Sequence, residues 1–237
     1  MKSIFALFFL SFINYTFSQE LKFENPQIES IILNKYPQID INKNGKIEKF
    51  EAESVKELDL MESNITHAND INLFKNLEYL TLTINKIENL KLKDFKFLKK
   101  LYCARNNLKN LEISNMPMLT EFACGINQLT TVKIKNCPNI ESLNMMDNKI
   151  TEIDLKPYRK LKYLSVDNNQ LKRLDISNNP ELIQLIIRGN ELKEIDVRKN
   201  TKLKMNILYI DENVKIIGTP EQMKMYRTAP APPPPMG

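Results

Sequence analysis

The sequence predicts a mostly β, α/β repeat fold. It reads as a solenoid with a parallel β-sheet on its concave face, an extended or short-strand convex side, and an N-terminal helix-loop-helix cap. Three observations point there. Apolar residues recur in one frame, first after 22 residues and then every 21. Composition is skewed to match, with 29 Leu, 27 Ile and 28 Asn among 237 residues but only 5 Gly and no Trp. A twelve-residue loop rich in oxygen donors stands just before the first repeat.

Residues 1–18 read as a signal peptide. Lys2 gives the positive start, Ile4 to Ile13 the apolar run, and Thr16-Phe17-Ser18 a small-residue cleavage site that leaves Gln19 first. The apolar run is about half the ~20 residues a membrane span needs. The mature chain is therefore expected to be secreted, in an extracellular or periplasmic space, without membrane insertion.

Residues 19–54 are expected to form the cap, with helices over Pro26 to Lys35 and over Glu48 to Ser54. Ile28, Ile31 and Ile32 share one face of the first. Between them runs Asp40-Ile41-Asn42-Lys43-Asn44-Gly45-Lys46-Ile47-Glu48-Lys49-Phe50-Glu51, which matches D-x-[DN]-x-[DN]-G-x5-E and so resembles an EF-hand loop. The resemblance implies calcium. Asp40, Asn42 and Asn44 would offer side-chain oxygens, Lys46 its carbonyl, Glu48 a direct or water-mediated contact, and Glu51 a bidentate carboxylate. Gly45 permits the sharp turn. With Lys43, Lys46 and Lys49 alongside, the affinity expected is of the weak extracellular class, about 10⁻⁴ to 10⁻³ M. A single such loop has no paired partner, and its expected neighbour is the open end of the array near Leu58 and Leu60.

Residues 55–218 hold about eight repeats of L-x-x-L-x-L-x-x-N-x-L, starting at Val55, Leu77, Leu98, Leu119, Ile140, Leu161, Leu182 and Leu203. In a short strand the leucines of L-x-L face inward and their neighbours outward. Stacking such strands in parallel buries continuous Leu and Ile ladders. The asparagine position is held by Ser63, Asn85, Asn106, Asn127, Asn148, Asn169, Asn190 and Asp211. A short amide there can bond backbone groups of the bend and of the next turn, which makes the ladder structural. This pattern resembles the leucine-rich repeat family. A second half-repeat (LKNLEISNMP, LKRLDISNNP) repeats strand grammar on the return side, so little helix is expected there. Nested repeats of this length resemble those of secreted bacterial proteins loosely akin to internalins. The first turn, Ile65 to Asn76, is one residue longer. Asn206 and Asn213 in place of core leucines mark Lys202 to about Val214 as a terminal cap. Residues 219–237, with APAPPPP, are expected to be a disordered tail.

Composition also bounds function. One histidine, His67, excludes a two-histidine zinc motif and makes a histidine-relay hydrolase hard to assemble. Five scattered glycines leave no phosphate-cradling loop. The charge of +5 comes from dispersed lysines, including the run Lys91, Lys93, Lys96, Lys99 and Lys100, and no nucleic-acid partner is expected. Cys103 and Cys124 fall at the same inward position of adjacent repeats and read as buried free thiols; Cys137 lies on the convex side. No nucleophile with its base is present, so the chain is read as a binder of a protein or glycan, not an enzyme, with an architectural surface component as the alternative. The outward strand residues form three concave columns. Tyr79, Tyr102, Met146 and Tyr163 are expected to stand around a shallow dip at Ala104, Ala123 and Gly125, with Asn144 beside it, forming the partner-binding surface.

Overall fold

The structure, a computed structural model, describes residues 20–204 and 207–228. The expected leader lies outside them. Strands alternate between two faces of each coil. β1 (Glu57–Asp59) and β2 (Tyr79–Thr81) lie on the concave face and β3 (Asn89–Lys93) on the convex face. The pairs β4 (Lys100–Tyr102) with β5 (Asn110–Ser114) and β6 (Glu121–Ala123) with β7 (Lys133–Lys135) repeat the alternation. β8 (Ser142–Asn144), β9 (Tyr163–Ser165) and β10 (Gln184–Ile186) are concave, β11 (Glu194–Asp196) convex, β12 (Leu208–Tyr209) concave and β13 (Lys215–Ile217) convex. The concave strands pair in parallel as one eight-stranded sheet, β1-β2-β4-β6-β8-β9-β10-β12. This is the mostly β solenoid that the spacing predicts.

The core follows from the alternation. Leu58, Leu80, Leu101, Phe122, Leu143, Leu164, Leu185 and Leu208 stack in one buried column. Each Leu so buried contributes ~1.5–3 kcal/mol. After each concave strand from β2 to β10 the chain turns through a residue of positive φ, such as Arg105 (54°), Asp147 (52°) or Gly189 (66°), and the ladder asparagine follows. Asn148 shows how the ladder works. Its Oδ1 accepts from Leu129 N at 3.0 Å, while its Nδ2 donates to Cys124 O at 3.2 Å in the preceding coil and to Met145 O at 3.2 Å in its own. One amide thus satisfies backbone groups of two coils.

Toward the N-terminal end, side chains imitate a missing strand. In the long first turn, Asn69 Oδ1 accepts from Lys91 N at 3.0 Å, and Asn72 donates to Lys91 O at 2.8 Å and accepts from Lys93 N at 2.9 Å. These amides cover the edge of β3. At the N-terminal end α1 (Pro26–Lys35) and α2 (Lys49–Ser54) lie close to the expected bounds, with Ile28 and Ile32 buried and Ile31 packed against the core. Asp70 anchors the start of α1, accepting from Glu24 N at 2.9 Å and Asn25 N at 2.8 Å.

The C-terminal end departs from expectation twice. Leu185 lies opposite Leu208 and Ile186 opposite Tyr209, so the frame slips by two residues in the last coil. Leu208 and Ile210 are the buried residues there, and Asp211 falls in the outward column beside Arg188 instead of on the asparagine ladder. Secondly, part of the expected disordered tail is a helix, α3 (Pro220–Thr228). Thr219 and Gln222 form its capping box, with Thr219 N donating to Gln222 Oε1 at 2.8 Å and Gln222 N to Thr219 Oγ1 at 3.2 Å. Gln222 is buried and donates to Val197 O at 2.9 Å, which ties α3 to the array. Residues 229–237 lie outside the described residues.

Candidate functional site

The loop before the array curls through positive φ at Lys43 (59°) and Gly45 (79°). Asp40 closes it, its carboxylate accepting from Asn44 N at 3.0 Å and Gly45 N at 2.8 Å. Asn42 and Asn44 both turn toward Glu48, donating to its two carboxylate oxygens at 2.7 and 2.8 Å. Glu51 is fully buried and joins the loop's ends, accepting from Ile41 N at 2.8 Å and Glu48 N at 2.9 Å. Among the described residues, no group of three or more His, Cys, Asp or Glu comes together to hold a metal. The donor set nevertheless fits a hard cation in kind. Rotating both asparagine amides by half a turn replaces their nitrogens with oxygens and leaves three side chains, Asn42, Asn44 and Glu48, converging with oxygen donors.

The outward columns have the expected register. Tyr79, Lys100, Glu121, Ser142, Tyr163 and Gln184 are neighbours in one, and Thr81, Tyr102, Ala123, Asn144, Ser165 and Ile186 in the next. The expected dip is not formed. Tyr79 and Tyr102 pack edge to face at 5.8 Å. Tyr102 donates to Glu121 at 2.5 Å, and Lys100 pairs with the same carboxylate at 2.9 Å. Burial and then that hydrogen bond push the Tyr102 phenol up, while Tyr102 first and Lys100 second hold the Glu121 carboxyl down. Gly125 is buried, and a Cβ there would lie 3.0 Å from Met146 Cγ and 3.1 Å from Asn144 Oδ1. The Met146 and Asn144 side chains of the next coil fill the space over Gly125, so no opening forms there.

The opening lies further along the sheet. A cleft of about 690 Å³ sits over β8, β9, β10 and β12, and Asn144, Met146 and Tyr163 of the expected set line it. Tyr79, Tyr102, Ala104, Ala123 and Gly125 do not. The remaining lining includes Asp167, Gln184, Ile186, Arg188, Tyr209 and Asp211. Tyr163 is 44% exposed. The Arg188 guanidinium stands over the Tyr209 ring at 5.7 Å, between Asp167 and Asp211 in its column. Each of those carboxylates accepts one hydrogen bond from another group, Asp167 from Ser165 Oγ at 2.5 Å and Asp211 from Gly189 N at 2.9 Å. The cleft thus offers two tyrosines, an isoleucine and a methionine beside a guanidinium that, among the described residues, has no carboxylate partner. Ile186 and Arg188 were visible in the sequence columns. Tyr209 was hidden by the slipped frame, although the alternation of Leu208 and Ile210 signals it.

Beneath the concave face Cys103 and Cys124 occupy successive inward rungs, both free and fully buried. Burial pushes the Cys103 thiol up to about 12, and the Cys124 thiol rises for the same reason. On the convex side Lys91 pairs with Glu112 at 3.4 Å, and at the entry to the concave strands Lys99 pairs with Glu78 at 2.6 Å. Among the described residues, no helix is long and apolar enough to cross a membrane.

No family model matches the chain, and neither does any curated protein. Solved structures do resemble it. The functional domain of InlJ from Listeria monocytogenes, which includes a cysteine ladder, superposes with a TM-score of 0.52 at 24% identity, over 72% of this chain and 42% of that one. An internalin C2 from Listeria monocytogenes gives a TM-score of 0.51 at 17% identity, over 78% of this chain and 94% of that one. The chain therefore spans less than half of the InlJ chain it matches. At these identities the likeness is one of architecture: the chain folds as a leucine-rich-repeat solenoid of the kind seen in these Listeria domains.

Proposed function

We propose that the chain is a secreted, calcium-stabilised leucine-rich-repeat binding protein that recognises a protein partner through its concave face. The observation that carries this reading is the cleft over β8 to β12, where Tyr163, Ile186 and Tyr209 surround Arg188. Aromatic and arginine side chains dominate binding hot spots, and a concave parallel sheet presents them on a rigid frame. Secretion rests on the leader motif of residues 1–18. The reading as a binder and not an enzyme is supported by the same cleft, where Asp167 and Asp211 each accept an internal hydrogen bond.

Calcium is assigned to the loop of Asp40, Asn42, Asn44, Lys46, Glu48 and Glu51. Bound there, it supplies positive charge that holds carboxylates and carbonyls together. The chain's own part is to pre-shape the loop, with Gly45 in the left-handed turn and Glu51 buried across the loop's ends. The test of the binding reading is capture of a soluble protein by the immobilised chain in calcium buffer. Capture that is lost on Tyr163→Ala supports it, and capture indifferent to that change contradicts it.

A further inference from the structure

The array repeatedly sets a lysine against a glutamate 21 residues earlier, on the preceding coil. Lys99 meets Glu78 at 2.6 Å, Lys109 meets Glu88 at 3.0 Å, Lys162 meets Glu141 at 2.7 Å and Lys202 meets Glu181 at 2.5 Å. The convex sheet breaks this matching. Its outward residues are Asn89, Lys91 and Lys93 on β3, Asn110, Glu112 and Ser114 on β5, and Lys133 and Lys135 on β7. The register places Glu112 between Lys91 and Lys133, and Ser114 between Lys93 and Lys135. Glu112 pairs with Lys91 at 3.4 Å; among the described residues, Lys93, Lys133 and Lys135 have no carboxylate partner. Flanking carboxylates do not cancel the excess. Asp94, after β3, accepts from Asn115 Nδ2 at 2.7 Å, and Lys75 comes in beside it to donate to Lys93 O at 3.0 Å. Asp154, in the coil after β7, accepts from the amide of Lys156 at 3.0 Å, so a further lysine stands with it.

The same face carries a hollow of about 180 Å³, whose lining includes Asn69, Asn89, Lys91, Asn110, Thr131 and Lys133, with Glu112 held by Lys91. Asn110 donates to Asn89 Oδ1 at 2.7 Å, and Asn69 Oδ1 accepts from Lys91 N at 3.0 Å. Among the described residues, the Asn110 side-chain oxygen, the Asn69 and Asn89 side-chain nitrogens and the Thr131 hydroxyl have no partner. Donors and an acceptor thus meet in a space with room for one sugar ring. A sugar hydroxyl both donates and accepts, so it suits such a mixed set. Lysine ammonium groups take an anionic substituent as a charge-assisted partner. Strands ~4.8 Å apart hold β3 and β7 ~10 Å apart, so one linear polymer crossing the strands meets the lysines of both. A nucleic acid fits less well, because none of these outward residues is aromatic and bases have nothing to stack on. An acidic protein would find no apolar anchor on this face.

We propose that the convex sheet of β3, β5 and β7 is a second binding surface, for an acidic polysaccharide. The polymer lies across the strands, with one sugar in the hollow and its anionic groups on Lys93, Lys133 and Lys135. This surface is separate from the concave cleft, and neither assignment depends on the other.

The test titrates the full chain into a labelled heparin hexasaccharide at low salt, read by fluorescence anisotropy. Lys93→Gln/Lys133→Gln/Lys135→Gln should weaken binding at least about ten-fold with the thermal melt preserved. Lys109→Gln/Lys162→Gln/Lys202→Gln removes the same charge from paired positions and should change affinity less than about two-fold, since distant exposed charges are screened. Asn89→Ala/Asn110→Ala, which alters no charge, should weaken binding at least about three-fold by removing the hydroxyl partners of the hollow. No binding by the natural chain would overturn the proposal. Equal losses in the two lysine variants would reduce the effect to net charge and overturn it as well. An asparagine variant that binds as the natural chain does would empty the hollow of its sugar. A single-stranded DNA oligonucleotide of equal charge that binds as tightly as the hexasaccharide would replace the polysaccharide with a nucleic acid.

Discussion

The hydroxyl of Tyr36 donates to the carbonyl of Asp59 at 2.9 Å and accepts from the amide of the same residue at 2.8 Å. Asp59 ends β1, the first strand of the concave sheet, and its neighbours Leu58 and Leu60 are buried. Leu60 N already bonds Thr81 O in β2, so the Asp59 amide and carbonyl face the open side. One phenol oxygen therefore does the work of an absent strand. Tyr36→Phe is expected to cost ~1–3 kcal/mol, because two backbone groups lose one partner. Chemical denaturation of the variant checks it, and an unchanged midpoint would show that water replaces the hydroxyl freely.

A second prediction concerns alkaline pH. The Cys103 thiol is raised from its ordinary 9.0 to about 12 by burial, and the Cys124 thiol is raised as well. Above pH 9 the unfolded thiols release protons that the folded ones retain, so the unfolded state binds fewer protons and stability falls as pH rises. The stabilisation is fully present below the unfolded value and is lost progressively toward the folded one. Melting temperature measured from pH 8 to 11 should therefore decline, and the decline should be shallower in Cys103→Ala/Cys124→Ala. Parallel declines would place the alkaline sensitivity elsewhere.

The asparagine ladder gives a contrast between two positions of one residue type. Asn148 bonds backbone groups of two coils, whereas exposed Asn110 donates only to Asn89 Oδ1 at 2.7 Å. Asn148→Leu is expected to cost ~1–3 kcal/mol and Asn110→Leu close to nothing. Urea midpoints for the two variants measure the difference.

For the loop, 10 mM calcium is about ten or more times the dissociation constant expected of a weak extracellular site. The melting temperature should therefore rise relative to chelator, by mass action. Glu51→Gln should abolish the rise. Isothermal calorimetry on the unmodified chain gives an independent reading, and absence of heat would remove calcium from the proposal.

The sequence made the solenoid legible because every coil repeats one frame, and a repeat whose inward residues are Leu58, Leu80 and Leu101 buries them in only one register. The concave columns follow from the same period. What the period does not contain was missed. The two-residue slip before Leu208 hid Tyr209, and with it the aromatic far wall of the cleft. No dip forms at Gly125 because Met146 of the next coil, a neighbour across the sheet and not along the strand, fills the space. α3 was readable: Thr219-Pro220-Glu221-Gln222 is a capping box with proline at the first helical position, outweighed in reading by the prolines that follow.

The concave cleft is tested most directly by measuring a captured partner's affinity for two variants, one on each face. Arg188→Ala/Tyr209→Ala removes the stacked pair from the cleft, and Lys91→Glu/Lys93→Glu inverts charge on the convex wall. The cleft variant should bind at least about ten-fold more weakly, a loss of ~1.4 kcal/mol or more, with its melt preserved. The convex variant should bind as the natural chain does. Weakening by the convex change alone would move the binding surface to the opposite wall and contradict the assignment.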